Sequence, residues 1–560
     1  MTYPWYSSYP EGVPHEIDEK QYNSIVDLID QSYEKYAAKP AFHCMGKTFT
    51  YAEIDELSKK FASYLQNDLG LKKGSRVALM MPNILQYPIA LFGALRAGMV
   101  AVNVNPLYTE RELEHQMKDA GVEAIIIFEN SAHILQKVIK NTNVKHVITT
   151  GIGDLLGFPK SLIVNFVIKH VKKMVPAWSL PGSVNFRDAL AAGDASKFKR
   201  AEMTLSDTAF LQYTGGTTGV AKGAELTHGN IVANMVQART WIGTQIKEGE
   251  EIIITPLPLY HIFSLTANCF VFSSIGALNV LITNPRDIPG FVKELSKWKF
   301  TAFTGVNTLY NALLNNEDFR NLDLTSLKLA LGGGMAVQKA VADEWKKVTK
   351  STLVEAYGLT ETSPAACINP LDIPEYNGTI GVPISSTIVK ILDDEGKEVA
   401  QGEPGELAIK GPQVMRGYWN RPEETANVMT SDGFFKTGDI AVMTEKGFFK
   451  IVDRKKDMIL VSGFNVYPNE VEDAVVTHPG ILEAAAIGVP NDKSGEIVKL
   501  FVVKKDKSLT EDLVIEHCRS VLTGYKVPKI VEFREELPKT NVGKILRKDL
   551  RNEELAKMKQ

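Results

Sequence analysis

A stretch rich in glycine and threonine occupies residues 213–224 and reads Tyr-Thr-Gly-Gly-Thr-Thr-Gly-Val-Ala-Lys-Gly-Ala. Glycine permits positive φ and close approach of the backbone, so successive N–H groups in such a loop can surround an anion. The threonine hydroxyls and Lys222 add donors, a hard oxygen for Mg2+ and a positive charge. This is not a Walker A motif, because Ala221 precedes the lysine and Gly223 follows it. The stretch predicts a phosphate-binding loop, with an ordinary flexible loop and a structural lysine as the alternative.

The segments around this loop are expected to hold it in place. Residues 208–213 are predicted to form a strand, and residues 229–238 a helix. A strand, a glycine-rich loop and a helix in succession are the usual setting for a bound phosphate.

Alternating strands and helices are predicted along most of the chain. Helices should begin at the capping boxes Thr50–Glu53 and Thr109–Glu112, the second ending at Gly121. Such alternation implies βαβ units with a mainly parallel sheet, which binds ligands beyond the carboxyl ends of its strands. We expect Gly332–Gly334 and Tyr357–Glu361 at that edge. The predicted strands are residues 76–81, 99–104, 123–128, 279–283, 301–305, 327–331 and 351–355.

The fold class is therefore α/β, with two changes of texture toward the C-terminus. Short strands and turns after Asp372 predict a β-rich subdomain at about residues 372–453. The charge-dense residues 453–457 are a predicted linker. We expect a large domain at residues 1–453 and a small, mobile α+β domain at residues 454–560, an ordinary domain size.

The composition excludes several classes of protein. The chain has 560 residues, and its formal net charge of −3 gives no electrostatic case for nucleic acid as a partner. The four cysteines are scattered without a CxxC pair, which argues against a disulfide framework or a zinc site. The first residues lack the regions of a signal peptide, so we expect a cytoplasmic protein. Residues 252–285 carry no Asp, Glu, Lys or Arg, but prolines, His261 and amides interrupt them, so we expect buried core rather than a membrane span.

Residues 155–178 combine lysines with aromatic and aliphatic side chains and contain no acidic residue. A basic amphipathic segment of this kind can lie in a membrane interface, and the inner face of the cytoplasmic membrane would suit it. A connecting helix packed on the body of the protein is the alternative. The sequence leaves the choice open, as it does the formation of a homodimer.

Taken together, the motifs resemble those of the acyl-adenylate-forming enzymes, and within them the bacterial long-chain fatty acid–CoA ligases. The resemblance covers nearly the whole chain. Gly215 and Ala221 depart from the serine and proline that many members have, without removing a phosphate donor. The motifs, in the family's order, are residues 213–219 with Lys222, Pro256–His261, Gly332–Gly334, Glu355–Glu361, Phe435–Asp439, Ile451–Asp457, Ser462–Gly463 and Pro538–Lys544.

The resemblance implies ATP-dependent activation of a long-chain fatty acid to acyl-CoA through acyl-AMP, with ATP and CoA as substrates and Mg2+ as cofactor. It implies catalytic roles for Lys544, Glu361, Thr218 and His261, the last bordering the acyl pocket. Thr214 and Glu361 would bind the metal. The residues expected to bind the nucleotide are Tyr213, Thr214, Gly215, Gly216, Thr217, Thr218, Gly219, Lys222, Gly223, Gly333, Gly334, Tyr357, Gly358, Thr360, Asp439 and Arg454.

The same resemblance assigns two tasks to the C-terminal domain. Lys544 would close the adenylation site, and rotation about a hinge at Lys456 would then bring Ser462 and Gly463 to face CoA. Residues 257–272 and 304–309 are expected to line the acyl tunnel. Two alternatives stay open. The enzyme could pass the acyl group to a carrier protein or another acceptor, or the chain could be a nucleotide-binding sensor without activity.

Overall fold

The strands and helices of the protein are those of a computed structural model that describes residues 3–214, 221–462, 464–491, 494–540 and 543–557. The strands within these ranges are β1 (Pro40–Cys44), β2 (Lys47–Thr50), β3 (Arg76–Met80), β4 (Val100–Asn103), β5 (Ala124–Phe128), β6 (His146–Thr150), β7 (Val184–Asn185), β8 (Thr208–Thr214), β9 (Lys222–Thr227), β10 (Ile252–Thr255), β11 (Leu278–Leu281), β12 (Ala302–Gly305), β13 (Leu329–Gly332), β14 (Leu353–Gly358), β15 (Ala365–Ile368), β16 (Val382–Pro383), β17 (Ile388–Leu392), β18 (Gly405–Lys410), β19 (Gly417–Tyr418), β20 (Phe435–Met443), β21 (Phe449–Arg454), β22 (Ile459–Val461), β23 (Phe464–Val466), β24 (Ile481–Asn491), β25 (Gly495–Lys504) and β26 (Ile530–Arg534).

The α-helices are α1 (Ile25–Lys35), α2 (Tyr51–Ser63), α3 (Gln86–Arg96), α4 (Glu110–Ala120), α5 (Ala132–Val138), α6 (Lys160–Phe166), α7 (Phe186–Ala192), α8 (His228–Ile242), α9 (Ile262–Ser264), α10 (Ile288–Leu295), α11 (Asn307–Leu314), α12 (Glu317–Arg320), α13 (Lys339–Thr349), α14 (Pro422–Val428), α15 (Pro468–Val475), α16 (Glu511–Val521) and α17 (Arg547–Lys557). Turns of π-helix continue three of them, at Tyr64–Asp68, Val167–Val171 and Leu265–Phe272. Short 3₁₀ segments are Pro4–Ser8, Glu129–Ser131, Ile139–Asn141, Ala195–Lys197 and Thr360–Thr362.

Two mainly parallel sheets form the large part of the molecule, as the βαβ pattern predicts. Among the residues that the structure describes, one sheet has eight strands in the order β19-β9-β8-β4-β3-β5-β6-β7, and the other has nine in the order β16-β15-β14-β13-β12-β10-β11-β1-β2. Their central strands are buried on both faces, which explains the unbroken runs of Val, Ile and Leu. Helix α3 is buried along its whole length and belongs to the core shared by both sheets.

The capping boxes form as expected. Thr50 and Glu53 cap α2 reciprocally, Thr109 and Glu112 cap α4, and Gly121 ends α4 in the left-handed conformation. The uncharged residues 252–285 form β10, the α9 and π-helical segment, and β11, all largely buried. No helix among the described residues is long and apolar enough to cross a membrane.

The predicted helix at residues 229–238 is confirmed, but a strand that the sequence analysis did not predict lies between the glycine-rich loop and this helix. Residues Lys222–Thr227 form β9, which pairs antiparallel with β8, so the loop connects a β-hairpin. Helix α8 begins only at His228, after a cap at Thr227. Ala224 and Leu226 lie two residues apart and are both fully buried, as expected for one face of a strand.

Two smaller sheets follow. Strands β17, β18, β20 and β21 form an antiparallel sheet within the segment predicted to be β-rich. Strands β22 to β26 form a five-stranded sheet, which α15, α16 and α17 accompany. This last part has its own hydrophobic clusters, including Val471, Leu500 and Val514.

Candidate active site

A cavity of about 1160 Å³ lies between the large part of the molecule and the C-terminal sheet and helices. This size is suited to a nucleotide together with a second substrate. Of the residues singled out from the sequence, those that line it are Tyr213, Thr214, Lys222, His261, Gly333, Gly334, Tyr357, Gly358, Thr360, Glu361, Asp439, Arg454, Lys456 and Lys544.

Asp439 is the centre of a polar cluster on one wall of this cavity. The β20–β21 register places it opposite Arg454, whose Nε lies 3.1 Å from its Oδ1. The hydroxyl of Tyr357 donates to the other carboxylate oxygen at 2.6 Å. Burial and the neighbouring Asp439 raise the pKa of Tyr357 well above its usual value, so the phenol stays a donor. The free lone pairs of such a carboxylate can accept two neighbouring hydroxyl groups of a sugar.

Glu361 is a buried carboxylate in the 3₁₀ turn that follows β14. Its Oε1 accepts the hydroxyl of Tyr418 at 2.8 Å, and burial raises its pKa. This turn packs against β8 and β9, whose ends carry Thr214 and Lys222. Among the described residues, no group of three or more His, Cys, Asp and Glu could enclose a metal. The Glu361 carboxylate and the Thr214 hydroxyl both line the cavity and are oxygen ligands of the kind that Mg2+ accepts. Mg2+ takes most of its other ligands from phosphates and water.

Lys222 is paired in this structure with a residue that the sequence did not single out. Its Nζ contacts the carboxylate of Glu424 in α14 and lies 5.2 Å from the centre of the Tyr418 ring. Both charged side chains are about one third exposed. The amine is therefore held at the cavity wall by a partner that an incoming phosphate would have to displace.

Lys544 enters the cavity from the C-terminal side on a tight turn. The N–H of Thr540 donates to the Lys544 carbonyl at 2.7 Å, and the Thr308 hydroxyl of the large part donates to the Gly543 carbonyl at 3.4 Å. Burial lowers the pKa of Lys544 to about 7, and Arg454 adds repulsion. A negatively charged ligand between these cations would restore the charged amine. Burial and then Lys544 lower the pKa of His261 to about 4, so His261 is neutral at the cavity wall.

Two glycines of the wall permit close approach of the chain. A Cβ at Gly358 would lie 1.9 Å from the carbonyl oxygen of Pro364, and Gly334 has φ of +76°. Gly223 is outside the lining, since its Cβ position faces the ring of Tyr213.

The cavity continues into a part lined by hydrocarbon, here called the apolar arm. It is formed by one face of α8, the π-helical segment and the connection between β15 and β16, and its residues are Ala238, Ile242, Val271, Phe272, Leu371 and Ile380. Asn234 on the same face of α8 binds the backbone of Ala365 at 2.8 and 3.0 Å, beside the strand that carries Tyr357. Ile242 therefore lies at the end of the arm away from Tyr357. Many of the residues predicted to be walls, in 257–272 and 304–309, line the cavity.

Some residues of the sequence prediction are not brought to this cavity. Ser462 is at the β22–β23 turn with φ of +51° and donates its N–H to Ser494, away from the described lining. The predictions for Gly215, Gly216, Thr217, Thr218, Gly219 and Gly463 fall outside the described residues.

Sequence reasoning missed Tyr418 and Glu424, which contact Glu361 and Lys222 respectively. Tyr418 and Glu424 lie on an edge strand and a short helix that reach the site only through long-range pairing. Nothing in the spacing of the residues around Tyr418 marks this tyrosine as the partner of Glu361.

Comparison with known proteins agrees with this fold. Residues 29–419 match the family model of the AMP-binding enzymes, and residues 470–544 match the model of the AMP-binding enzyme C-terminal domain. The chain belongs to the family of AMP-binding enzymes.

The relatives and solved structures share nearly the full length of the chain. It is 58% identical to the long-chain-fatty-acid–CoA ligase of Escherichia coli O6:H1 and 56% identical to that of Haemophilus influenzae, with 99% of both chains covered in each case. Among solved structures, it resembles the anthranilate CoA ligase AuaEII in complex with anthranoyl-AMP, with a TM-score of 0.86 and 25% identity over 97% of this chain and all of the other. ATP-bound MatB from Rhodopseudomonas palustris gives a TM-score of 0.81 and 27% identity over 95% and 99% of the two chains.

Proposed function

We propose that this protein is a long-chain fatty acid–CoA ligase that forms acyl-CoA from a fatty acid, ATP and CoA through acyl-AMP. The observation that carries the proposal is a single cavity in which Lys544, Asp439 and Glu361 adjoin an apolar arm. The 58% identity to a long-chain-fatty-acid–CoA ligase over the whole length supports the same conclusion.

In the first half-reaction, a carboxylate oxygen of the fatty acid attacks the α-phosphorus of ATP. The bond to the β-phosphate breaks and pyrophosphate leaves, which gives the mixed anhydride acyl-AMP. Three anionic groups meet in this step, so catalysis depends mainly on positioning and on neutralising charge. We assign that charge to Lys544 at the carboxylate and α-phosphate, the ribose hydroxyls to Asp439 with Arg454, and the β- and γ-phosphates to residues 214–222.

The remaining nucleotide contacts follow from the walls of the cavity. Gly334, Tyr357 and Gly358 would frame the adenine, and Thr360 would reach the α-phosphate. Glu361 and Thr214 would hold Mg2+, which when bound neutralises charge on the phosphates.

The second half-reaction requires a different arrangement of the same chain. We assign residues 1–453 to the large domain and residues 454–560 to a C-terminal domain that rotates about Lys456 once pyrophosphate has left. Ser462 and Gly463 would then face acyl-AMP, the CoA thiolate would attack its carbonyl carbon, and AMP would leave with its phosphate oxygen. The position of Ser462 off the cavity, with Lys544 in it, supports the view that this structure has the arrangement of the first half-reaction.

AMP formation from Mg-ATP across fatty acids of graded length, with and without CoA, tests the activity. CoA-dependent turnover that peaks with long chains is the expected result. Pyrophosphate exchange without a CoA-dependent product would point to another acyl acceptor, such as a carrier protein. A chain that forms no AMP in response to any acid would be a nucleotide-binding sensor.

The same proposal includes a place of action at a membrane surface through residues 155–178. Helix α6 and its π-helical continuation turn polar side chains inward and apolar ones outward. Ser161 is buried and Asn165 binds Asp154 at 2.8 Å, whereas the large apolar side chains are exposed. The exposed ones are Phe158, Leu162, Ile163, Phe166, Val171 and Met174, each more than half exposed. Exposed lysines occur in the same segment at positions 160, 169, 172 and 173. An exposed apolar surface in a basic segment favours contact with an anionic bilayer over the alternative of a connecting helix packed on the body of the protein.

Vesicle sedimentation tests this surface. Binding to vesicles with anionic lipid should fall for Phe166→Ser and for the double variant Lys169→Glu, Lys172→Glu. A double variant with the same charge change at Lys505 and Lys507 should bind normally. Unchanged partitioning of the first two would refute the membrane contact. A homodimer stays a prediction, which the mass of the protein in solution would test.

A further inference from the structure

The carboxylate of Asp453 is buried where the C-terminal domain meets the large domain, and none of the roles assigned above involves it. Asp453, at the end of β21, is fully buried. Its Oδ2 accepts the backbone N–H of Asn469 at 2.7 Å, and its Oδ1 lies 3.4 Å from Nη1 of Arg547. The N–H of Arg454 completes its hydrogen bonds at 2.7 Å. Burial of such a carboxylate is tolerable only while these donors stay in place.

The two donors from the C-terminal domain are joined to each other by hydrogen bonds. Arg547 begins α17 and binds both oxygens of Glu472 in α15, at 2.9 and 2.6 Å. It also binds the side-chain oxygen of Asn469 in the first turn of α15. Lys544 precedes Arg547 by three residues, on the turn that Thr540 closes. A shift of this hydrogen-bonded group therefore moves the amine that reaches into the cavity.

Asp453 lies on the other side of the proposed rotation axis from these donors. In the β20–β21 pairing, Asp453 lies opposite Ile440, and Arg454 lies opposite Asp439. Asp453 is therefore part of the sheet that carries the proposed ribose-binding pair. If the domain turns about Lys456, Asp453 stays with the large domain while its two donors leave.

We propose that Asp453 is a positioning residue that acts through Lys544. Its carboxylate receives Asn469 and Arg547 only when the C-terminal domain is oriented for acyl-AMP formation, and it releases them before CoA attack. The inference rests on the proposed two-step function. It adds a residue that biases the equilibrium between the two orientations without touching either substrate.

Asp453→Asn provides the test. The amide has nearly the same size as the carboxylate, but its NH2 group would face one of the N–H donors that now bind the carboxylate. Fatty acid-dependent ATP–pyrophosphate exchange reports the first half-reaction, and thioester formation from supplied acyl-AMP and CoA reports the second. We expect exchange to slow by about tenfold or more, the cost of an unmade hydrogen bond to a buried charge. Thioester formation should keep its rate or rise.

Both rates are measured on one preparation, so their ratio is independent of the fraction of folded enzyme. Glu554→Gln is the matched control: Glu554 pairs with Lys499 at 2.6 Å inside the C-terminal domain, so its loss should lower stability without changing the ratio. Arg547→Lys keeps the charge but loses the two-pronged contact, and should shift the ratio in the same direction as Asp453→Asn.

Equal losses in both half-reactions, or no loss in either, would overturn the positioning role of Asp453. A wild-type protein with no acid-dependent exchange would instead refute the proposed function itself. The two failures are therefore distinguishable.

Discussion

Filling the apolar arm at Ala238 should shorten the fatty acid that the enzyme prefers. Asn234, Ala238 and Ile242 line the cavity from one face of α8, and each step of four residues is about 6 Å along the helix. Asn234 is tied to Ala365 beside the nucleotide wall, so Ala238 lies midway along this face. A phenyl ring at position 238 would close the arm before Ile242.

The size of the effect follows from the hydrocarbon that no longer fits. Each buried methylene contributes about 0.8 kcal/mol, which corresponds to a factor of about four in kcat/KM. An acid with four methylenes beyond the block would lose about 3 kcal/mol, or about 200-fold. An acid that ends before the block would keep its kcat/KM, because the nucleotide wall and Lys544 are unchanged.

The assay is kcat/KM for AMP formation with saturated acids of increasing length. The Ala238→Phe enzyme should match the wild type with short acids and fall progressively behind it with long ones. Thr240→Phe is the control, since Thr240 is on the same helix but outside the lining of the cavity. A uniform loss at every length, or an unchanged ratio of long to short acids, would show that the arm does not hold the acyl chain.

Three further substitutions address the polar walls. Tyr418→Phe removes the hydroxyl that donates to Glu361, and burial already raises the pKa of this carboxylate. Half-maximal adenylation should therefore need about tenfold more Mg2+. Burial raises the pKa of Glu355 to about 8. At pH values between the ordinary pKa of glutamate and 8, the unfolded chain therefore holds fewer protons than the folded protein. The free energy of unfolding then falls with rising pH by up to about 1.4 kcal/mol per pH unit. Glu355→Gln should consequently gain stability relative to the wild type from pH 5 to pH 8. Glu424→Gln frees Lys222 from a pair worth at most about 1 kcal/mol, so KM for ATP should fall by up to about fivefold.

Each of these expectations has a direct readout. Magnesium titrations of pyrophosphate exchange that coincide for Tyr418→Phe and wild type would refute the role of the phenol. Thermal midpoints of Glu355→Gln and wild type that stay parallel from pH 5 to pH 8 would show that Glu355 is ionised in the folded protein. An unchanged or higher KM for ATP in Glu424→Gln would mean that the pair does not compete with phosphate.

Features set by neighbours in the chain are predictable from the sequence. The capping boxes at Thr50 and Thr109 depend on residues three positions apart, so they form where the sequence predicts them. The central parallel strands are buried on both faces and are therefore marked by continuous apolar runs. Ordered motifs likewise indicated Asp439, Glu361 and Lys544, and the structure brings all three to one cavity.

Features that depend on distant partners were decided only by the tertiary structure. Residues 222–227 follow a glycine-rich loop, yet they form a strand because β8 lies beside them to pair with. Composition left the orientation of residues 155–178 open. In the structure Asn165 binds Asp154 and Ser161 is buried, whereas Leu162, Ile163 and Phe166 are exposed. The burial of Asp453 requires donors 16 and 94 residues away. Local spacing determines which helices and strands can form and which motifs are present, whereas the partner of a buried charge is set by long-range packing that no local pattern encodes.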